Sequence, residues 1–324
     1  MREVIPDKQV DNRAKFLAGL FAGILAVSTA SIFIRFAQQE VPSLVIAAGR
    51  MTFATLLMLP FGLAELKRNP TAFNKKQIFH LGFAGAALGM HFAAWITSLE
   101  YTSIASSVVL VTTAPLWVAL VSPALLKERL TKPVVIGLLI ALVGGIIVGG
   151  SGSCSTVQGK FTCSGIGDLF AGSHSLGNLL AFAGALLSGA YLIAGRKVRN
   201  TISLPLYTLI VYGIAAFLLS MMVVLKGDKV TGYATISYVW VLALALIPQA
   251  VGHTAFNWAL KYLPAAFVSI ALLGEPVGTI ILAALLLHEA PTFLEMMGGL
   301  LVLTGIAVAT RKAAPKKIEY EKSQ

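Results

Sequence analysis

Residues 98–150 read SLEYTSIASSVVLVTTAPLWVALVSPALLKERLTKPVVIGLLIALVGGIIVGG, and residues 259–309 read ALKYLPAAFVSIALLGEPVGTIILAALLLHEAPTFLEMMGGLLVLTGIAVA. The second stretch lies on the first without a gap at an offset of 161. Leu99 and Tyr101 fall on Leu260 and Tyr262, Pro115 on Pro276, Glu128 on Glu289, and Gly137 and Gly144 on Gly298 and Gly305. Moving outward, the same offset places Phe21-Ala22-Gly23 on Phe182-Ala183-Gly184 and Arg35 on Arg196. A single register held from the first apolar run to the last identifies the chain as a duplicated unit.

Charged residues make up 12% of the chain and apolar residues 57%, with a mean hydropathy of +0.82. Soluble domains carry roughly 25% charged residues, so lipid is the expected solvent and the bilayer the first partner. The net charge of +11 would suit nucleic acid. Here the basic residues sit in short clusters between apolar runs, the pattern of topology signals, and no nucleic-acid partner is expected. The first 15 residues are polar and charged. The apolar run after them is long and lacks a clear cleavage site, so it reads as a retained helix rather than a signal peptide.

A bilayer span takes about 20 apolar residues and has to be helical, because hydrocarbon offers backbone groups no other partner. Ten spans are predicted: 16–37, 43–64, 77–98, 103–125, 133–150, 175–196, 204–225, 235–257, 265–287 and 291–310. The expected organisation is a cytoplasmic segment 1–15, a first five-helix repeat 16–150, an extracytoplasmic loop 151–174, a second repeat 175–310 and a basic tail 311–324. Five spans is an odd number, so the second repeat enters the membrane upside down. Inverted repeats of this kind are a transporter architecture. With both termini inside, the clusters Arg2 to Lys15, Lys67 to Lys76, Lys127 to Lys132, Arg196 to Arg199, Lys261 and Arg311 to Lys322 all face the cytoplasm. Lys160, Lys226 and Lys229 then face out, which is the orientation that the positive-inside rule favours.

The two quoted stretches resemble the drug/metabolite transporter superfamily, specifically its EamA-type ten-helix members. The marks are a Tyr-Thr-Ser-type entry to the fourth span, a mid-helix Pro, a Glu that closes that helix and a Gly-rich last helix. They stand at Tyr101, Pro115 and Glu128, and again at Tyr262, Pro276 and Glu289. Arg50 in the second span also fits the pattern. The resemblance implies a secondary transporter of the cell membrane working by alternating access. Its cavity would lie between helices 1–4 and 6–9, with helices 5 and 10 as peripheral supports or homodimer contacts. The resemblance covers nearly the whole chain and leaves the substrate open among amino acids, drugs, sugars and nucleotide conjugates.

Ionisable groups inside a membrane are functional candidates. Glu275 precedes Pro276 in helix 9, where proline breaks the backbone ladder and frees a carbonyl; a carboxylate there could bind a cationic group or a proton, or lock onto a neighbouring Arg or His. Arg50, about two turns into helix 2, calls for a carboxylate from protein or substrate. His91 and His253 are spaced by 162, one off the repeat register, in nearly equivalent places. Imidazoles there suit a proton relay or substrate contact, or are satisfied by a helix carbonyl. Arg35 is expected to snorkel to the interface. Trp95 and Asn257 are further candidates for the cavity. Gln249, Ser28, Thr29, Thr112 and Thr113 offer hydrogen bonds to substrate or between helices. Mixed charges suit a zwitterion, so an amino acid or similar small metabolite, exported by family analogy, is the first expectation.

Pro115, Pro276, Glu128 and Glu289 read as structural, the two glutamates as caps for the helices that follow them. Cys154 and Cys163, in an outer loop, could form a disulfide across a short hairpin or stay as thiols. The motif Gly165-Ile166-Gly167-Asp168 spells an intramembrane protease signature but lies in a polar loop, with no second Asp in any span. No P-loop, HExxH or dinucleotide fingerprint occurs, so no enzyme, metal or cofactor is expected. The alternatives are a facilitator or antiporter of anionic or nucleotide-linked metabolites or drugs, and an intramembrane enzyme or lipid-handling scaffold.

Overall fold

The computed structural model describes residues 8–70, 72–102, 107, 110–151, 154–157, 160–163, 174–286 and 293–310. Helices account for almost all of it. In chain order they are α1 (Lys8–Ser28), α2 (Ala30–Ala37), α3 (Ser43–Arg68), α4 (Lys75–Tyr101), α5 (Ala114–Leu126), α6 (Lys132–Ser151), α7 (His174–Val198), α8 (Leu204–Lys226), α9 (Thr235–Leu244), a π-helical stretch Ala245–His253, α10 (Thr254–Tyr262), α11 (Ala265–Leu272), α12 (Gly274–Leu286) and α13 (Phe293–Thr310). Among the described residues, seven helical runs are long and apolar enough to cross a membrane, and Ala114–Leu126, Lys132–Ile147 and Met296–Ala309 are shorter apolar helices. Large apolar side chains stay exposed along the outside, among them Phe21, Phe217, Val224, Leu225 and Leu285. A soluble protein does not present so continuous an apolar surface.

Local sequence sets the helix ends. Asn74 caps α4: its side chain accepts from the Gln77 N–H at 2.9 Å while Gln77 Oε1 accepts from the Asn74 N–H at 3.0 Å, a capping box. Gly227, at φ 76°, closes α8 in the left-handed region and donates to Val223 O at 3.0 Å, as a helix C-terminus requires of glycine. The first helix begins at Lys8, ahead of the span read from the sequence. Between α6 and α7 lies an antiparallel hairpin, β1 (Cys154–Val157) with β2 (Lys160–Cys163), whose register sets Cys154 opposite Cys163. The side chains of that pair, Glu289 and the basic tail lie outside what the structure describes.

Residues at the same place in the two repeats make matching contacts. A Cβ placed on Gly137 would meet Gly305 O at 2.5 Å, and one on Gly144 would meet Gly298 O at 2.6 Å. These are two copies of one contact, because Gly137 is equivalent to Gly298 and Gly144 to Gly305. The pairing runs up α6 and down α13, so equivalent helices are antiparallel and the two-fold axis that relates them crosses the helices instead of following them. Only glycine permits this backbone approach. The rule holds elsewhere: Gly23 packs on Phe256 in α10, and its equivalent Gly184 packs on Trp95 in α4, the equivalent of Phe256.

Candidate functional site

Among the described residues, four helical runs are interrupted. The first turns at Thr29, between α1 and α2, where Ser28 Oγ donates to Ile24 O at 2.7 Å and Thr29 Oγ to Ala26 O at 2.8 Å. Hydroxyls that return to carbonyls three or four residues back bend a helix. The same device, Thr113 Oγ to Leu110 O at 2.7 Å, accompanies the turn at residues 112–113 before α5. The equivalent break stands at Leu273, before α12. Pro115 and Pro276 follow the two breaks, and neither can donate to the carbonyl four residues back. The fourth interruption is the π-helical stretch, which contains Pro248. Such stretches are rare and recur at functional sites.

Two of these breaks are stitched together. Ser28 Oγ donates to Glu275 O at 3.1 Å, and Thr279 Oγ donates to Ser28 O at 2.9 Å. Carbonyls beside the bends thus take side-chain donors across the α1–α12 contact, in a setting where a bilayer offers no water. Gly278 makes room for Ser28 there, since a Cβ on it would lie 2.1 Å from Ser28 Oγ. In the other repeat the equivalent of Ser28 is Gly189, packed against Ala114 O and Trp117, and the equivalent of Gly278 is that tryptophan. Each repeat therefore pairs one small residue with a larger one at this crossing.

Within this frame lies Arg50, 1% exposed, on α3. Its Nε donates to Gln249 Oε1 at 2.9 Å, from the π-helical stretch, and its guanidinium lies 4.1 Å from the centroid of the Phe92 ring. Phe92 in turn meets His253 edge-on, with centroids 5.3 Å apart. Among the described residues Arg50 forms no ion pair, and its Nη1 has no hydrogen-bond partner. Gln249 Nε2 and Trp95 Nε1, both buried, are equally unpartnered. Each unmet buried donor costs about 1–3 kcal/mol, and two of them stand on Arg50 and Gln249, which bond each other and offer donors to an acceptor that a ligand supplies. Glu275 is half-buried, its carboxylate makes no hydrogen bond among the described residues, and Arg50 is the charge that acts on it. The Arg50 guanidinium and the Glu275 carboxylate thus act on each other electrostatically without a hydrogen bond between them.

The two histidines are less alike than their spacing suggests. His91 Nδ1 bonds Gly184 O at 2.8 Å, and its ring stacks on Trp95 at 6.0 Å. Because a carbonyl can only accept, Nδ1 carries the proton and Nε2 is left as the acceptor. His253 sits against Phe92, and Phe92 is its equivalent at the 161 offset; the equivalent of His91 is Gly252.

Asn257 belongs to a different network. It is fully buried, accepts from Tyr191 OH at 2.5 Å, and donates to Tyr212 OH at 3.3 Å. Its backbone carbonyl accepts from Arg199 Nε at 2.9 Å. Tyr212 OH continues to Thr254 Oγ at 3.0 Å. This buried chain joins α7, α8 and α10. It also shows that Arg199, counted by its position as a topology charge, is an interior residue at 2% exposure. Arg35, at the end of α2, is exposed as expected.

Glu128 caps a helix, but of the other repeat. Lys127 takes the left-handed conformation, φ 55°, at a cost of about 1–2 kcal/mol for a residue with a Cβ. Glu128 Oε2 then accepts from the Ala265 N–H at 3.1 Å, at the start of α11, and its Oε1 binds Arg196 Nε at 2.6 Å. The expected cap on the helix that follows it is replaced by this bond across the repeats.

Comparison with known proteins agrees with this architecture. The model of the EamA-like transporter family matches twice, over residues 15–150 and 175–311. The chain is similar to the uncharacterized transporter YdfC of Bacillus subtilis, at 22% identity over 81% of this chain and 79% of that one. It is also similar to an uncharacterized transporter of Archaeoglobus fulgidus, at 23% identity over 91% and 96%. A crystal structure at 21% identity superposes with a TM-score of 0.74 over 93% of this chain and 98% of the other, a likeness of fold. The chain is a multi-pass membrane protein, a transporter by kinship, and belongs to the EamA-like transporter family of the drug/metabolite transporter superfamily.

Proposed function

We propose that the protein is a secondary transporter that exports a small zwitterionic metabolite, an amino acid in the first instance, across the cell membrane. In this reading ten spans form two inverted five-helix repeats with both termini in the cytoplasm, and the substrate binds where the repeats meet. The observation that carries it is the pairing of Arg50, with Nη1 unpartnered in a buried setting, and the half-buried, unbonded Glu275 carboxylate. A substrate carboxylate would take Arg50 Nη1 and Gln249 Nε2, and its ammonium would take Glu275. Interrupted helices at the meeting of inverted repeats are the usual setting for such a site. The two-fold contacts between equivalent helices supply the geometry for alternating access, since exchanging the packing of the two repeats exchanges the faces.

A purely anionic or nucleotide-linked substrate is the second reading. It is disfavoured because Glu275 would repel it from the same side on which Arg50 attracts it. The test is uptake of a labelled amino-acid panel by proteoliposomes, with and without a pH gradient. Saturable flux of one or more members supports the proposal; flux of phosphorylated or nucleotide-linked compounds alone replaces it with the second reading.

A further inference from the structure

We propose that Arg196 and Glu128 form the latch that holds the lysine- and arginine-rich face of the protein shut. The inference rests on the transporter reading above and adds a named gate to it. The two side chains are 10% and 18% exposed, with Nε to Oε1 at 2.6 Å. Arg196 Nη1 also donates to Leu260 O at 2.6 Å and to Lys261 O at 3.1 Å, at the end of α10. Glu128 Oε2 holds the Ala265 N–H at the start of α11. One ion pair therefore ties the ends of α5, α7, α10 and the beginning of α11, across the boundary between the repeats. These four ends belong to the runs that carry the candidate site or border it, and all lie on the face with Lys127, Arg129, Lys197 and Lys261.

Two further observations separate a latch from ordinary packing. Lys127 is the one non-glycine residue with positive φ among the described residues, and its strained conformation aims Glu128 across the gap. A surface residue with nothing to hold would relax out of it. Arg35, equivalent to Arg196, is exposed, with no bond to the described residues. Arg196 is drawn inward by the tie, while its counterpart stays out. A tie between the repeats on one face is what a carrier closed on that face requires.

The test places a cysteine at Ser269, fully buried on α11 one turn beyond Ala265, and follows its reaction with a membrane-impermeant maleimide in inside-out vesicles. Thr131→Cys, exposed on the basic face, is the control that the reagent reaches that side. If Thr131→Cys fails to react, the assigned orientation fails, whatever the latch does. With the native pair, Ser269→Cys should react slowly. Glu128→Gln or Arg196→Gln should speed it about ten-fold as the closed state loses population. Arg196→Lys keeps a cation but cannot reach the carboxylate and both carbonyls together, so its rate should fall between. Should Glu128→Gln elute as aggregate on size exclusion, Arg196→Lys decides. A folded variant lacking the pair that reacts at the native rate, or Arg196→Lys indistinguishable from native, overturns the latch. The readout needs no substrate, so failure of the amino-acid panel leaves it intact.

Discussion

Phe92 and His253 occupy the same place in the two repeats and touch each other, with ring centroids 5.3 Å apart. Equivalent residues of a two-fold assembly meet only beside the axis. The axis therefore passes near the Arg50 guanidinium, which lies over the Phe92 ring. A candidate site on the axis is shared by both halves, and neither repeat builds it alone.

Gln249 fixes Arg50 through a single bond, Nε to Oε1. Gln249→Leu removes that partner and leaves a second guanidinium donor unmet, at about 1–3 kcal/mol. The expected outcome is a lower melting temperature in detergent together with loss of binding. Gln249→Glu supplies a carboxylate of its own, so it should keep the fold and weaken a carboxylate substrate at least about ten-fold by occupying Arg50. Thermal unfolding followed by ligand-induced stabilisation separates the two variants.

Gly278→Ala should destabilise by about 1–3 kcal/mol, because its Cβ would overlap Ser28 and overpacking carries a cost of that size. The symmetry-related crossing has glycine, Gly189, at the Ser28 position. Ser28→Gly is therefore expected to restore part of the loss in the double variant, giving a coupling of at least about 0.5 kcal/mol in a double-mutant cycle. Strictly additive effects would show that the two residues do not share the space.

Gly137→Ala and Gly305→Ala each drive a methyl into the backbone of the partner helix, with the nearest carbonyl oxygen at 2.5 Å in both cases. Gly137 and Gly305 are the two sides of one contact, since each added Cβ meets the other's carbonyl oxygen. Both variants are expected to lower the melting temperature, with the double variant losing less than the sum.

At the opposite end of the molecule, Glu40 accepts from Ser237 Oγ at 2.8 Å and from the Ala234 N–H at 3.0 Å. These two bonds, the serine first, hold its carboxyl below the ordinary value of 4.5. A lowered value in the folded state means that the contribution is complete above the unfolded value and disappears as pH falls through the folded one. Glu40→Gln should therefore melt slightly below the native protein at pH 6 to 7, and the two curves should converge as the pH falls below the ordinary carboxyl value of 4.5. Being exposed, the group contributes little.

Much of this was written into the sequence, and what was hidden has a common cause. The duplication, the helix runs and the break at Pro276 follow from spacing and from the missing proline N–H. Arg50 and Glu275 stood out because charge is rare inside apolar runs. Their lack of mutual hydrogen bonding could not be read, since it depends on Gln249 arriving from a π-helical stretch that Pro248 only hints at. The bend at Thr29 has no proline, and its cause is a pair of hydroxyls common in any membrane helix. Arg196 and Arg199 looked like topology charges because they sit in a basic cluster; burial came from Glu128 and Asn257, more than 50 residues away in the sequence. Phe92 is silent by composition and becomes legible only as the counterpart of His253.

Counterflow in proteoliposomes tests the central claim most directly. Vesicles preloaded with an unlabelled amino acid from the panel should accumulate the labelled compound transiently, because one shared site alternates between faces. Arg50→Ala, folded by size exclusion, should abolish this. Uptake at the rate of protein-free vesicles for every zwitterion tried, or unchanged counterflow in Arg50→Ala, would contradict the account.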